Sequence, residues 1–142
     1  MSNPVNQSIN PQGATNTVAS GTISCVTNAG FTQRAVVTVT DADGTTVAQG
    51  TFQGKGENNT PAPLMSPASG TVLSFQNAKL PITLAATFAY DPNGSFVNNA
   101  ANKVFTTIPY NENGIEVVTI LSEDWVDNDF NDMVLRSVTI AH

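Results

Sequence analysis

Gln33-Arg34-Ala35-Val36-Val37-Thr38-Val39-Thr40-Asp41-Ala42-Asp43-Gly44-Thr45-Thr46-Val47-Ala48-Gln49-Gly50-Thr51-Phe52 reads as strand, turn, strand. β-Branched residues crowd both arms, where they pack well on a pleated surface, and Asp-Ala-Asp-Gly supplies the turn chemistry between them. Working outward, the same alternation of β-branched runs and turn residues recurs. It predicts further strands at Gly21 to Thr27, Thr71 to Phe75, Ile82 to Tyr90, Val104 to Ile108, Ile115 to Leu121 and Met133 to Ile140. With Gln33 to Thr40 and Thr45 to Phe52 these make eight, and Asp91-Pro92-Asn93-Gly94 closes another pair. No stretch keeps a helical period, and no internal repeat is visible. The fold class expected is all-β, an antiparallel β-sandwich of about eight to nine short strands, with an open barrel as the alternative.

The chain has 142 residues, enough for one domain with a core that needs no staples. Residues 1–17 are rich in Asn, Gln, Ser, Pro and Gly and read as a flexible N-terminal arm, leaving 18–142 as the domain. Charged residues make up only 11%, and the net charge is -6, so no basic surface is at hand for phosphates or anionic lipids. Nucleic acid and direct membrane insertion are not expected. The start lacks the basic end and apolar stretch of a secretory signal, which leaves a cytoplasmic chain or one released or surface-associated by a non-classical route. A single cysteine, Cys25, and a single histidine, His142, exclude a disulfide framework and a Cys/His zinc cluster. Cys25 lies amid apolar alternation and reads as a buried small hydrophobe.

Charge is instead concentrated in one place. Five of the eleven acidic residues (Glu123, Asp124, Asp127, Asp129 and Asp132) fall within ten positions. Two carboxylates about 6 Å apart repel by roughly 3 kcal/mol at an effective dielectric of about 20, so folding five into one loop needs compensation. Five cationic side chains exist in the whole protein, and only Arg136 is near in sequence. A bound cation compensates better, and carboxylate and amide oxygens without thiolate or imidazole select Ca²⁺. The spacing of Asp127, Asp129 and Asn131 is that of an EF-hand opening, but Asp132 replaces the turn glycine, Val138 stands at the position of the bidentate Glu, and the flanks are strand-like. An EF-hand is therefore rejected. The plain alternative is a solvated acidic loop without a ligand, against which Trp125, Val126 and Phe130 supply apolar anchors that such a loop would not need.

Ser122-Glu123-Asp124-Trp125-Val126-Asp127-Asn128-Asp129-Phe130-Asn131-Asp132 resembles the calcium loop of the LecB-like bacterial lectins, the two-calcium, fucose- and mannose-binding family, where the usual form is Ser-Glu-Asp-Gly-Thr-Asp-Asn-Asp-Tyr-Asn-Asp. Upstream, Cys25-Val26-Thr27-Asn28-Ala29-Gly30-Phe31-Thr32-Gln33 is similar to the family's strand end, ligand Asn and sugar-selecting triplet; from about Gly54 to Asn113 the match is poor. The resemblance implies a non-catalytic lectin with two adjacent Ca²⁺ ions per subunit. Glu123, Asp127, Asp129 and Asp132 would hold one ion, and Asn28, Asp129, Asn131 and Asp132 the other, with sugar hydroxyls completing both shells. It places Ala29, Gly30 and Phe31 in the sugar-selecting triplet, implies sugar contacts at Ala29, Gly30 and Asp124 as well, and Ala29, lacking the hydroxyl that favours fucose, tilts preference toward mannose. Without the downstream loop, Asn28-Ala29-Gly30 would read simply as a turn.

The resemblance further implies that the C-terminal carboxylate, here on His142, ligates calcium in a neighbouring subunit, giving a homodimer or higher homo-oligomer. The ten residues after Asp132 would span roughly 33 Å as a strand and contain no Gly, Pro or Asn to fold them back. Trp125 departs from the family's Gly, and core packing and contact with the sugar are equally open to it. An enzyme is not expected: the terminal His142 offers the only imidazole base, and a carboxylate held on Ca²⁺ stays ionised and cannot act as a general acid. The rival from another class is a calcium-stabilised structural or adhesin β-module with no sugar site.

Overall fold

The structure, a computed structural model, describes residues 3–11, 18–68, 70–107, 114–125 and 129–142. The strands are β1 (Val5–Ile9), β2 (Val18–Thr40), β3 (Thr46–Pro61), β4 (Leu64–Ser66), β5 (Leu73–Lys79), β6 (Ile82–Asp91), β7 (Val97–Asn98), β8 (Ala101–Thr107), β9 (Ile115–Glu123) and β10 (Met133–Ala141). Every pairing between them is antiparallel.

The organising element is β2, 23 residues long. Its first half, Val18 to Thr27, is flanked by β10 on one edge and β5 on the other. Its second half, Thr32 to Thr40, is flanked by β6 and β3. Two layers result, β5–β2–β10–β9–β8 and β1–β6–β2–β3–β4, with β2 passing from one to the other. The passage falls between Thr27 and Gln33, where the register against β3 slips twice. Such irregularities bend a strand and re-aim its side chains, here at the edge of the sandwich.

Between the layers lies the core. Phe52, Phe88, Ile23, Ile82, Leu84, Ile120 and Leu135 are fully buried, each stabilising the fold by about 1.5–3 kcal/mol through removal of apolar surface from water. β9 and β10 show the period of two that a half-buried strand requires, with Val118, Ile120, Met133 and Leu135 inward. Packing is closest at Gly21, where a Cβ would stand 2.5 Å from the Phe75 ring and 2.6 Å from the Val138 carbonyl oxygen. Cys25 is buried as expected, and burial pushes its thiol far above the usual range, which leaves it inert.

The sandwich agrees with the sequence reading, and four details differ. The arm is not loose throughout: Val5 to Ile9 pair with β6, and Val5 and Ile9 belong to the core. Three polar residues between two apolar ones hide this strand in the sequence. Asn3 extends it by copying a backbone pairing, its side chain bonding both the N–H and the C=O of Phe88 at 3.0 and 2.7 Å. The turn at Asn28-Ala29-Gly30 is instead continuous strand, since β2 keeps neighbours on both sides of the passage. Two strands too short for a composition signal, β4 and β7, were also beyond reach, and the strand expected at Thr71 to Phe75 runs from Leu73 to Lys79. Ile108, the expected end of β8, lies outside the described residues.

Glu116, on β9 opposite Thr139, points inward and is buried, and loss of solvent holds its carboxyl above the usual range although the Asn10 backbone bonds it. A carboxyl raised in the folded state binds protons more tightly there than when unfolded, so stability falls as pH rises through that range. Glu116→Gln removes the charge and should melt higher at pH 7, the gain shrinking as pH falls through the ordinary carboxylate range. Equal gains at pH 7 and below that range, measured by thermal denaturation, would show that charge burial is not the cause.

Candidate functional site

The β9–β10 pairing sets the site. Met133 lies opposite Ser122 on one side and Thr27 on the other, so Glu123 and Asp132, next to these strand ends, sit against the point where β2 changes layer. Residues a hundred positions apart in the chain thereby meet. The Asn28 backbone N–H donates to the Asp132 carbonyl at 3.0 Å, and Asn28 Nδ2 donates to the Asn131 carbonyl at 3.0 Å. Asn28 Nδ2 also reaches Asn59 Oδ1 at 2.9 Å, while Asn28 Oδ1 accepts the Asn59 backbone N–H at 2.7 Å. That oxygen keeps a second lone pair for another partner.

Glu123, Asp129 and Asp132 offer carboxylate oxygens that all lie within 4.8 Å of one another. Glu123 and Asp132 are buried, and Asp129 is exposed. The loop closes around Glu123, whose Oε1 accepts the Trp125 N–H at 3.1 Å and whose Oε2 accepts the Phe130 N–H at 3.3 Å. Phe130 is in the left-handed region at φ 54°, a conformation a bulky residue holds only when its surroundings impose it. Asp132 Oδ2 accepts the Asp124 N–H at 2.8 Å. Burial pushes the Asp132 carboxyl up, and the nearby Asp124 charge adds to this against hydrogen bonds that lower it.

The donor set fits a hard cation. Calcium–oxygen bonds of about 2.3–2.6 Å place two ligands of one ion at most about 5 Å apart, which a spread of 4.8 Å satisfies. No thiolate or imidazole is among the three. The residues therefore suit calcium better than zinc or copper.

Asp124 faces the same region but is held from below. Gln33, fully buried, donates from Nε2 to Asp124 Oδ2 at 2.7 Å. Asn99 Nδ2 in turn donates to Gln33 Oε1 at 3.3 Å and to Ser122 Oγ at 2.7 Å. An open cleft of about 410 Å³ lies over these groups. Its walls bring together Asn28, Ala29, Gly30, Asp124, Asp129, Asn131 and Asp132, with Glu123 buried in the acidic cluster beside them.

Not every expected residue is placed with these. Asp127 lies outside the described residues. His142 is at the far end of β10, its N–H bonding the Val18 carbonyl at 2.9 Å and its Nε2 2.8 Å from Ser20 Oγ, so within its own chain it does not meet the others. Trp125 is 64% exposed, which excludes core packing, and it does not line the cleft.

Sequence reasoning missed Gln33, Glu57, Asn59 and Asn99. Glu57 lines the cleft, and Asn59 grips Asn28. Both come from a bulge in β3 where Gly56, Asn58 and Asn59 all have positive φ. Gly-Lys-Gly-Glu-Asn-Asn from Gly54 to Asn59 was the available signal, since Gly and Asn are the residues that tolerate that conformation.

Residues 14–137 match the profile of the family described as fucose-binding lectin II (PA-IIL). The chain belongs to this family. Solved structures of lectins resemble it in fold over nearly the whole length. A high-affinity mannose-binding lectin of Ralstonia solanacearum is 22% identical, with 92% of each chain covered and a TM-score of 0.56. The C-terminal domain of the BC2L-C lectin of Burkholderia cenocepacia is 19% identical, with 97% of each chain covered and a TM-score of 0.56. The Chromobacterium violaceum lectin CV2L, solved with alpha-methyl-fucoside, is 15% identical over 88% of this chain and 90% of that one, with a TM-score of 0.54. No curated protein matches the chain. As a PA-IIL family member the protein is a carbohydrate-binding lectin and not an enzyme.

Proposed function

We propose that this lectin binds mannose- or fucose-type sugars at the Asn28–Asp132 cleft with two adjacent Ca²⁺ ions. The observation that carries the reading is the convergence of the Glu123, Asp129 and Asp132 oxygens within 4.8 Å beside Asn28. Glu123, Asp127, Asp129 and Asp132 would hold one ion, and Asn28, Asp129, Asn131 and Asp132 the other. Bound there, the ions offset the carboxylate charge and offer coordination positions to neutral sugar hydroxyls. The chain's own groups do the orienting. Asp124, fixed by Gln33, is an acceptor for a sugar hydroxyl, and Ala29 and Gly30 give the ring a low wall. Asn59 fixes the Asn28 amide, its N–H on Oδ1, while Nδ2 faces the loop at the Asn131 carbonyl.

His142 can enter a site only from a second copy, because in its own chain β10 carries it away from the cleft. A homo-oligomer is thus part of the proposal, and linked sites would raise the avidity of a weak monosaccharide site by orders of magnitude. A glycan array run with and without chelator tests the whole reading. Mannosylated and fucosylated glycans should be retained with calcium and lost without it. Calcium-dependent stability with no glycan retained would instead favour the structural or adhesin module.

A further inference from the structure

The cleft has an apolar wall that coordination of hydroxyls does not use. Phe31 lines it and is 38% exposed, and its ring centroid lies 5.8 Å from that of Tyr90 with the planes tilted by 46°. An exposed phenylalanine by itself needs no explanation. This one sits on strand backbone held on both sides of the next residues, since Thr32 pairs with Asp91, and Gln33 pairs with Tyr90 and with Gly54. Gln33 is the residue that grips Asp124, so the aromatic pair stands about one pleat, roughly 7 Å, from the donor that orients the carboxylate. A rigid aromatic surface therefore borders a set of convergent polar groups, the combination that ligand sites use to fix a partly apolar ring.

We infer that Phe31, backed by Tyr90, is the platform of a second subsite, which takes the C–H face of the sugar ring next along the glycan from the one seated at the acidic loop. Pyranose rings present hydroxyls at their edges and C–H groups on a face. The acidic cluster suits the edges, whereas a phenyl ring has no hydrogen-bonding group to offer and suits the face. The cleft, at about 410 Å³, is in the range of pockets that hold drug-sized ligands and has room beyond one pyranose. Phe31 is thereby a specificity residue that separates oligosaccharides from monosaccharides.

This inference rests on the sugar-binding reading, and the test separates the two. Titration calorimetry in saturating calcium compares methyl mannoside and methyl fucoside with panels of linkage-isomeric disaccharides bearing each sugar at the non-reducing end. The native protein should bind at least one disaccharide about tenfold tighter than the matching methyl glycoside. Phe31→Ala should cost the disaccharide about tenfold more than the methyl glycoside, and Phe31→Trp should keep the gain. Thermal melts of both variants control for folding. Methyl glycosides that bind with no disaccharide gain, or a Phe31→Ala loss shared equally by methyl glycoside and disaccharide, would overturn the subsite while leaving the lectin site standing. If no sugar of either panel binds, the sugar-binding reading falls and the subsite with it.

Discussion

Stripped of calcium with EDTA, the protein should melt about 8 °C or more below its temperature in saturating calcium. A ligand that binds only the folded chain stabilises it by about 2.7 kcal/mol per site at a hundred times its dissociation constant, and each kcal/mol moves the midpoint of a domain this size by roughly 3 °C. Two ions would about double the effect. The cause is local: Glu123 and Asp132 are buried, their oxygens lie within 4.8 Å of each other and of Asp129, and without a cation that charge opposes folding. Asp132→Asn sharpens the test. Its side-chain oxygen can still accept the Asp124 N–H, but the charge is gone. The variant should therefore melt as high as the native chain or higher in EDTA, and should lose most of the calcium-dependent gain. An unchanged native melting curve in EDTA would sink the metal reading. A calcium gain that survives Asp132→Asn in full would move the ion away from this cluster.

How much of this was legible in the sequence follows from how local each signal is. The hairpin at Asp41 to Gly44 is written in four adjacent residues, and the structure builds it with the Asp41 carboxylate accepting the Asp43 and Thr45 N–H groups at 2.9 and 3.0 Å. The acidic loop is equally local, a run of carboxylates too dense to fold uncompensated. What escaped depends on distant partners. β1 is recognisable only once β6 offers an edge to Val5 and Ile9, and the N-terminal residues look unstructured without it. Gln33 reads as an ordinary polar residue in a strand until Asp124, ninety-one positions away, is brought onto it. Asn59 lay in the stretch that matched the LecB-like pattern poorly, and its contact with Asn28 spans thirty-one positions. Density of one chemistry in a short window is visible to sequence reasoning, whereas a pair of unlike residues joined by the passage of β2 between layers is not.

Replacing Gln33 by Leu should lower sugar affinity by about ten- to a hundredfold while leaving most of the calcium-dependent melting shift in place. Gln33 donates to Asp124 and accepts from Asn99, neither of which belongs to the 4.8 Å cluster of Glu123, Asp129 and Asp132. A hydrogen bond to a charged group contributes about 1.5–3 kcal/mol, and its loss frees a carboxylate proposed to receive a sugar hydroxyl. Folding will also weaken, because Leu leaves the Asn99 amide without this acceptor in a buried position. Gln33→Glu separates positioning from packing, since it keeps the size and changes only the charge. Two carboxylates at this short separation repel, which raises the pH at which the pair takes up its first proton, so acidification supplies a shared proton sooner than for an isolated carboxylate. At pH 7 the Glu variant should bind sugar poorly, and at about pH 5.5 it should recover, because a shared proton restores the donor that Nε2 supplied. The native chain should show no such recovery over that range. If the Leu variant loses calcium stabilisation and sugar binding together, and the Glu variant is insensitive to pH, then Gln33 braces the whole loop and does not position Asp124 for the sugar.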